Sequence, residues 1–454
     1  MYPFFKKIKK KIDSLQNNPT SIHQQFLVSF IIISSFVALG KLAGFAKEVA
    51  LAWRYGVGVT VDAYTFIFNL VNWPVTVWYG ILTISYIPLV SNNKLLNKED
   101  LRNFQKELLG VTIILASVVG VILFYKLPDI IFSNWLALSS NLINSALELS
   151  RVISLLLPLG IVISLYSTFM LAQGRQIVTL LESIPALVLF IFIALSPSGT
   201  SDNLLSVGSA VGFVMHLIVL IAYQKISKTL LAPSFSLKSS LWPHFIKSFG
   251  MVAFAQALLS FTGIIDQIIA SHIAAGSVAT LNYANRVLIL VTMLGSLAIN
   301  RGTLPLFSKI HLENDGPRKL FETATTWLKW ITAISLLIAI LIGWASHLII
   351  KVVYERGAFN SSNTQEVAEL FCYGLTQLPF SFGQLLFATA LYSLKRYKEM
   401  AVIIMVMTAI KIVASLGLNS LIGAKGILLA TSVMLFCGLL MCFFVLKQTA
   451  KRNI

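Results

Sequence analysis

Long apolar runs broken by short polar stretches dominate this chain from Phe26 to residue 446. A bilayer core of ~30 Å is crossed by ~20 apolar residues in a helix. Read with that window, the pattern predicts twelve spans, at 24–44, 61–91, 107–127, 150–172, 177–197, 204–224, 246–272, 279–307, 320–350, 364–393, 399–421 and 426–446. Helices are expected because a lipid-exposed backbone must satisfy its own hydrogen bonds. The first run is too long for a cleavable signal core and leads directly into further spans, so a retained first helix is expected.

The longest polar connection between spans, 225–245, divides the spans six and six. An even number in each half gives both halves the same orientation, as in parallel repeats about an axis along the membrane normal. The expected fold class is therefore an all-α polytopic membrane protein of about twelve transmembrane helices, in two six-helix lobes with a central cavity. Its expected parts are a basic N-terminus (1–23), a first lobe (24–224), a linker (225–245), a second lobe (246–446) and a tail (447–454). "GVGVTVDAY", ending at Tyr64, and "AAGSVATLNYANR", holding Tyr283, lie at similar offsets in the two halves and echo one another.

Composition agrees with this class. Hydrophobic residues make up 57% of the 454 positions and charged residues 12%, against roughly a quarter charged in a soluble domain. Mean hydropathy is +0.81. The net charge of +17 would suggest nucleic acid in a soluble protein, but here most basic residues lie in alternate short loops. Only Lys126, Lys351, Arg356 and Lys425 fall on the opposite side. By the positive-inside rule this places both termini in the cytoplasm, and no nucleic-acid partner is expected. Cys372, Cys437 and Cys442 sit in apolar runs without metal spacing and read as packing residues. No P-loop, zinc motif or nucleophile elbow occurs in any loop. An enzyme, a cofactor and a bound metal are therefore not expected.

Charges within the apolar pattern carry the functional information, because a Lys, Arg or Asp at the bilayer centre costs ~2.5–3.5 kcal/mol and normally faces a wet cavity or a partner. In "GKLAGFAKEVALAWRYGVGVTVDAY" (40–64), Lys41 and Glu48 are seven apart and share a helical face, while Lys47 and Arg54 share another. Arg54 is expected to snorkel to the outer headgroups. Gly56 and Gly58 permit a sharp turn, and Asp62 begins the next helix, whose N-terminus its carboxylate would complement. Arg286 stands early in the eighth span. Lys41, Lys47 and Arg286 together would give a cationic cavity suited to a phosphate or diphosphate. Asp266 is isolated in an apolar helix and needs a cation: a metal ion, a proton or a basic side chain. In "YERGAF" (354–359), Glu355 and Arg356 read as a surface pair or as part of an outer gate, and Gln377, Pro379 and Gln384 read as a kink or as cleft lining.

Residues 40–64 resemble the first-loop pattern of the MurJ/MviN lipid II flippases, within the multidrug/oligosaccharidyl-lipid/polysaccharide exporter superfamily. The shared features are a basic residue (Lys41), Gly44-Phe45, the pair Lys47-Glu48, Gly56-x-Gly58 and Asp62-Ala63-Tyr64. "YIPLVS" (86–91), "IASHIAAGS" (269–277), "YANR" (283–286), "LPLFSK" (304–309) and "YERGAF" extend the similarity collinearly. The resemblance implies alternating-access transport of a polyprenyl-diphosphate-linked saccharide across the bacterial inner membrane, with cell-envelope synthesis enzymes as partners. It maps the cavity's basic residues onto Lys41, Lys47 and Arg286 and an acidic loop residue onto Asp62; Glu48, Asp62, Asp266 and Lys411 are expected to form a gating or charge network. Lysines stand at 41 and 47 where the family carries arginines. "NWPVTVWYG" (72–80) lacks the family's paired arginines and glutamate, and twelve spans are expected where members typically have fourteen. A flippase for a capsule, O-antigen or exopolysaccharide carrier and a cation-coupled drug antiporter are the alternatives. Family members can build a sodium site from their seventh and eleventh helices. Here Lys411 and Ser415 take the eleventh-helix places, so an Asp266–Lys411 ion pair is expected instead of sodium.

Overall fold

The computed structural model describes residues 22–91, 98–133, 140–175, 177–196, 203–310, 315–394 and 396–452. Apart from Ile22 and His23, the basic N-terminal segment lies outside the described residues. All regular structure among the described residues is helical. The first half holds α1 (Ile22–Tyr55), α2 (Val59–Ser91), α3 (Lys98–Ile131), α4 (Ser140–Ser154), α5 (Leu156–Ala172), α6 (Val178–Leu181), α7 (Ile184–Leu195) and α8 (Asn203–Ile226). The second holds α9 (Trp242–Ser271), α10 (Ser277–Ile310), α11 (Gly316–Trp344), α12 (Ser346–Tyr354), α13 (Ser361–Leu375), α14 (Leu378–Ser393), α15 (Tyr397–Ile422) and α16 (Ala424–Arg452).

Among the described residues, eight helices are long and apolar enough to cross a membrane, and nine if the pair α4 and α5, bent by 43°, counts as one span. Breaks explain part of the difference from twelve. The tenth expected span is divided at Thr376–Gln377 into α13 and α14, with Pro379 in the first turn of α14, where a missing N–H costs nothing. The first expected span is longer than its apolar run. α1 continues through the charged residues to Tyr55, because Lys, Glu, Ala and Leu are all good helix formers.

In the first half α2 packs against α4 and α5, and α7 against α1 and α8; in the second, α14 packs against α10, α11 and α16. The halves meet mainly along α2 and α9, with smaller contacts of α10 on α1 and α2 and of α12 on α1. One buried apolar cluster runs through both halves, and a second joins α10, α11, α14, α15 and α16 around Phe307, Phe387 and Cys442. The outer surface is itself apolar. Ile340, Leu341 and Trp344 on α11 are exposed, Trp344 at 90%. A surface of that kind requires lipid around it.

The linker between the halves is extended and tied down. The buried Glu107 carboxylate on α3 accepts from Ser236 Oγ (2.5 Å), Lys238 N (2.9 Å), Ser239 N (3.1 Å) and Trp242 Nε1 (2.8 Å). Phe104 packs edge-on against Trp242, with centroids 5.1 Å apart. Gly110 lets the linker approach, since a Cβ there would lie 2.2 Å from the Ser234 carbonyl oxygen. The start of α9 is thereby fastened to α3.

Candidate functional site: buried charges between the halves

The continuous α1 carries Glu48 to the contact with α10, where its side chain is 2% exposed. Lys47 Nζ lies 2.9 Å and Arg286 Nε 3.0 Å from Glu48 Oε1, and Asn282 Nδ2 donates to Oε2 at 3.2 Å. Buried charge is tolerated when it is paired and its remaining lone pairs are satisfied, and Glu48 meets both conditions. Lys47 Nζ also lies 5.6 Å from the Phe68 ring centroid, a favourable position for a cation. Two cations share one carboxylate, so a positive surplus remains at the contact between the halves.

The expected three-cation group is thus only partly assembled. Lys47 and Arg286 converge through Glu48. Lys41 lies about 9 Å earlier along the helix at 1.5 Å per residue, exposed on a cavity of about 300 Å³ shared with Glu182 and Arg286. Glu182 also opens onto a neighbouring cavity of about 270 Å³ that holds Lys47, and it accepts from Tyr79 Oη at 3.0 Å. The sequence reading passed over Glu182. As a lone acid in the apolar stretch "TLLESIPAL", it carries the same signal that singled out Asp266.

Near one end of this contact the halves are sealed by backbone hydrogen bonds. Asp62 does not cap its own helix. Its carboxylate crosses to α10 and accepts from Gly276 N and Ala279 N, both at 2.6 Å, where the positive helix N-terminus favours an anion. Tyr283 Oη donates to the Gly56 carbonyl at 3.0 Å, and Ala358 N donates to the Trp53 carbonyl at 2.8 Å. Gly56 is left-handed (φ +60°), and a Cβ there would lie 2.5 Å from the Ala358 carbonyl oxygen, so glycine is required. Tyr283 and Tyr354 pack at 5.1 Å, with Phe359 5.6 Å from Tyr354.

One further reading changes here. Glu355 and Arg356 do not pair: Glu355 accepts from Thr364 Oγ1 at 2.7 Å, and Arg356 folds back onto the Val353 carbonyl at 2.9 Å. "YERGAF" instead supplies Tyr354, Ala358 and Phe359 to the seal. Arg54 donates to the Ile193 and Ser196 carbonyls at the end of α7, at 3.1 and 2.7 Å, because the last carbonyls of a helix need donors.

Asp266 on α9 and Lys411 on α15 stand 2.9 Å apart, Oδ1 to Nζ. Lys411 is 1% exposed and also donates to the Ile427 carbonyl (2.8 Å) and Thr431 Oγ1 (2.7 Å). Among the described residues no group of His, Cys, Asp and Glu could hold a metal ion. Gln377 sits at the break between α13 and α14, and Gln384 Nε2 lies 4.0 Å from Met407 Sδ.

Among solved structures, the fold is similar to a lipid II flippase MurJ in an inward closed conformation, with a TM-score of 0.78, 19% identity, and 92% of this chain and 87% of that chain covered. It is also similar to an inward-facing multidrug resistance MATE transporter of the MOP superfamily, with a TM-score of 0.72, 12% identity, and 93% and 98% covered. In sequence it is 26% identical to a probable lipid II flippase MurJ of Buchnera aphidicola subsp. Baizongia pistaciae, over 84% of this chain and 76% of the relative. It is 24% identical to that of Bdellovibrio bacteriovorus, over 94% and 83%, and 31% identical to that of Helicobacter pylori strain J99, over 42% and 41%. The lipid II flippase MurJ family model matches residues 51–453. This multi-pass membrane protein, a transporter and not an enzyme, belongs to the lipid II flippase MurJ family.

Proposed function

We propose that the chain moves a polyprenyl-diphosphate-linked saccharide, lipid II or a close relative of it, from the cytoplasmic to the outer leaflet of the bacterial inner membrane by alternating access. The observation that carries this reading is the sharing of Glu48 by Lys47 and Arg286 where the two halves meet. In the empty transporter Glu48 neutralises part of the cationic pair. An incoming diphosphate offers more charge and more acceptors, and competes with Glu48 for the Arg286 fork and the Lys47 ammonium. Lys41 and Arg286, on one cavity wall, draw the anion toward the pair. With both termini in the cytoplasm, the seal around Gly56, Asp62 and Tyr283 lies on the outer side. Release then requires Asp62 to leave the α10 N-terminus and the halves to rock apart, while the lipid tail stays in the bilayer. Enzymes of cell-envelope synthesis supply and consume such a cargo.

A drug antiporter reading is also compatible with the fold. A cationic drug, however, would meet two cations at Glu48 and lose Coulomb energy there. The test is translocation of a fluorescent polyprenyl-diphosphate disaccharide in proteoliposomes. Wild-type protein should move it, and Arg286→Ala and Lys47→Ala should abolish movement while remaining folded and membrane-inserted. Unchanged transport in both variants would overturn the mechanism. Substitution of a capsule-type oligosaccharide for the lipid II disaccharide ranks the two cargo classes.

A further inference from the structure

At the end of the first half opposite the seal, the linker closes over a cavity of about 400 Å³ bordered by the last turns of α2 and α5 and the first turns of α3. With both termini in the cytoplasm, this end faces the cytoplasm. Arg102 on α3 and Lys228 on the linker bring two cations to the wall, and among the described residues no carboxylate lines it. A third cation stands beside them: Arg175 donates to Thr229 Oγ1 at 3.3 Å and lies 5.6 Å from the Tyr223 ring centroid. Lys47 and Arg286 share Glu48, and Lys411 has Asp266. The cavity at the linker has no such internal anion.

The backbone at Lys228 points the same way. α8 ends at Ile226, and the Thr229 amide turns back to the Gln224 carbonyl at 2.9 Å, with Lys228 left-handed at φ +55°. Glycine or asparagine takes that place most readily. Lysine bears a conformational cost there, and in return an ammonium reaches the cavity. Gln105 Nε2 donates to Tyr86 Oη at 2.5 Å, which leaves the phenol its own hydrogen for an acceptor in the cavity. Val90, Leu101 and Leu231 supply apolar wall. Around the rim the linker exposes Leu230, Phe235 and Leu237, at 39, 61 and 58%, among Lys225, Lys228 and Lys238. Exposed apolar side chains interspersed with lysines suit a segment lying in the headgroup layer, and basic pockets on the cytoplasmic side attract anionic headgroups.

We propose that this cavity binds a phosphate ester at the cytoplasmic face, with Arg102 and Lys228 on the phosphate oxygens, Tyr86 as a further donor and the apolar wall against the carbon chain. An anionic phospholipid of the cytoplasmic leaflet and a soluble phosphate ester share this chemistry. Either one ties the linker to α3 near the linker's start, as Glu107 does near its end, and so braces the connection across which the halves move. The site lies apart from the cleft between the halves, and its failure leaves the transport reading untouched.

Phosphatidylglycerol and glycerol 3-phosphate, each titrated into the purified full-length protein in neutral detergent, test the proposal, with Tm and the rate of linker proteolysis as readouts. At least one of the two should raise Tm saturably and slow cleavage, and zwitterionic phosphatidylcholine should do neither. Arg102→Gln and Lys228→Asn should each weaken that binding about fivefold, the loss of one cation facing an anionic group. Asparagine suits the left-handed backbone, so Lys228→Asn should keep the ligand-free Tm. Lys398→Gln, which removes an exposed charge at the start of α15, should leave binding unchanged. A response to phosphatidylglycerol alone supports the site and assigns it to the leaflet, and a response to glycerol 3-phosphate supports it as open to soluble esters. No saturable response to either anion, undiminished binding in both cavity variants, or an equal loss in Lys398→Gln overturns it.

Discussion

The Glu48 and Asp266 clusters are both buried, and both centre on one carboxylate, yet they are built on opposite terms. Glu48 joins α1 to α10 across the two halves, carries two cations for one anion, and adjoins cavities through Lys47 and Arg286. Asp266 and Lys411 lie within the second half, one cation for one anion, and Lys411 also donates to a carbonyl and a hydroxyl of α16. The first has unspent charge beside its cavities. The second is balanced, although Asp266 borders a cavity too, and it holds α9, α15 and α16 together. Excess charge distinguishes an exchangeable ion pair from a fastening one, and burial alone does not.

The largest effect that would separate the two clusters is on stability. Lys411→Ala leaves Asp266 without its cation and should destabilise the protein by about 3–5 kcal/mol, read as a lowered Tm in detergent. Replacing both partners, Asp266→Leu with Lys411→Met, should recover most of the loss, because the desolvation cost disappears with the charges. A double variant no better than the single would show that the pair is more than a fastening.

Glu48→Gln should act on ligand binding instead. With the internal competitor gone, undecaprenyl diphosphate should bind about tenfold tighter, of the order of one lost charge-assisted hydrogen bond. Translocation should slow, because release becomes harder. Asp266→Asn should leave that affinity unchanged, and equal responses from the two variants would erase the distinction drawn here.

A smaller effect is expected at the seal. Asp62→Ala removes a cap worth about 1–2 kcal/mol and should raise the reactivity of a cysteine placed at Ala279 toward a membrane-impermeant thiol reagent. Unaltered labelling would show that Asp62 does not hold the halves together. Smaller again is the linker latch. Glu107→Gln keeps the acceptor oxygen but loses charge, costing about 1 kcal/mol, and should increase proteolysis between residues 228 and 240. At the bottom of the scale, exchanging sodium for choline should leave Tm unchanged, because the Lys411 ammonium already neutralises Asp266. Sodium-dependent stabilisation abolished by Asp266→Asn would refute that.

Much of this was legible in the chain, and the successes and failures have a common cause. The membrane class and the apolar spans follow from periodicity, which is local. The anomalous charges Lys41, Lys47, Glu48, Arg286, Asp266 and Lys411 stood out because each is costly where it sits. Asp62 was recognised as an anion suited to a helix N-terminus, but it was matched to the nearer helix. The helix it serves begins 214 residues later, and nothing local distinguishes the two. The partners of Arg54 and Ala358 are hidden for the same reason, since they are backbone carbonyls, which every residue carries and no sequence marks. Glu182 is legible as a lone acid in an apolar run, whereas Glu107, next to Lys106 at the end of a charged stretch, carries no such mark.

By itself, then, the sequence determined the solvent and the anomalies: helices built for lipid, and the few side chains that lipid would penalise. The tertiary structure decided the pairing. It placed Arg286 and Lys47 on either side of one carboxylate, left Lys41 two turns away, and brought the amide-bearing faces of α2, α9 and α10 around one cavity. Hydrophobic patterning repeats within a few residues and is written locally. The neutralisation of a buried charge is settled only when distant helices pack and compete for it.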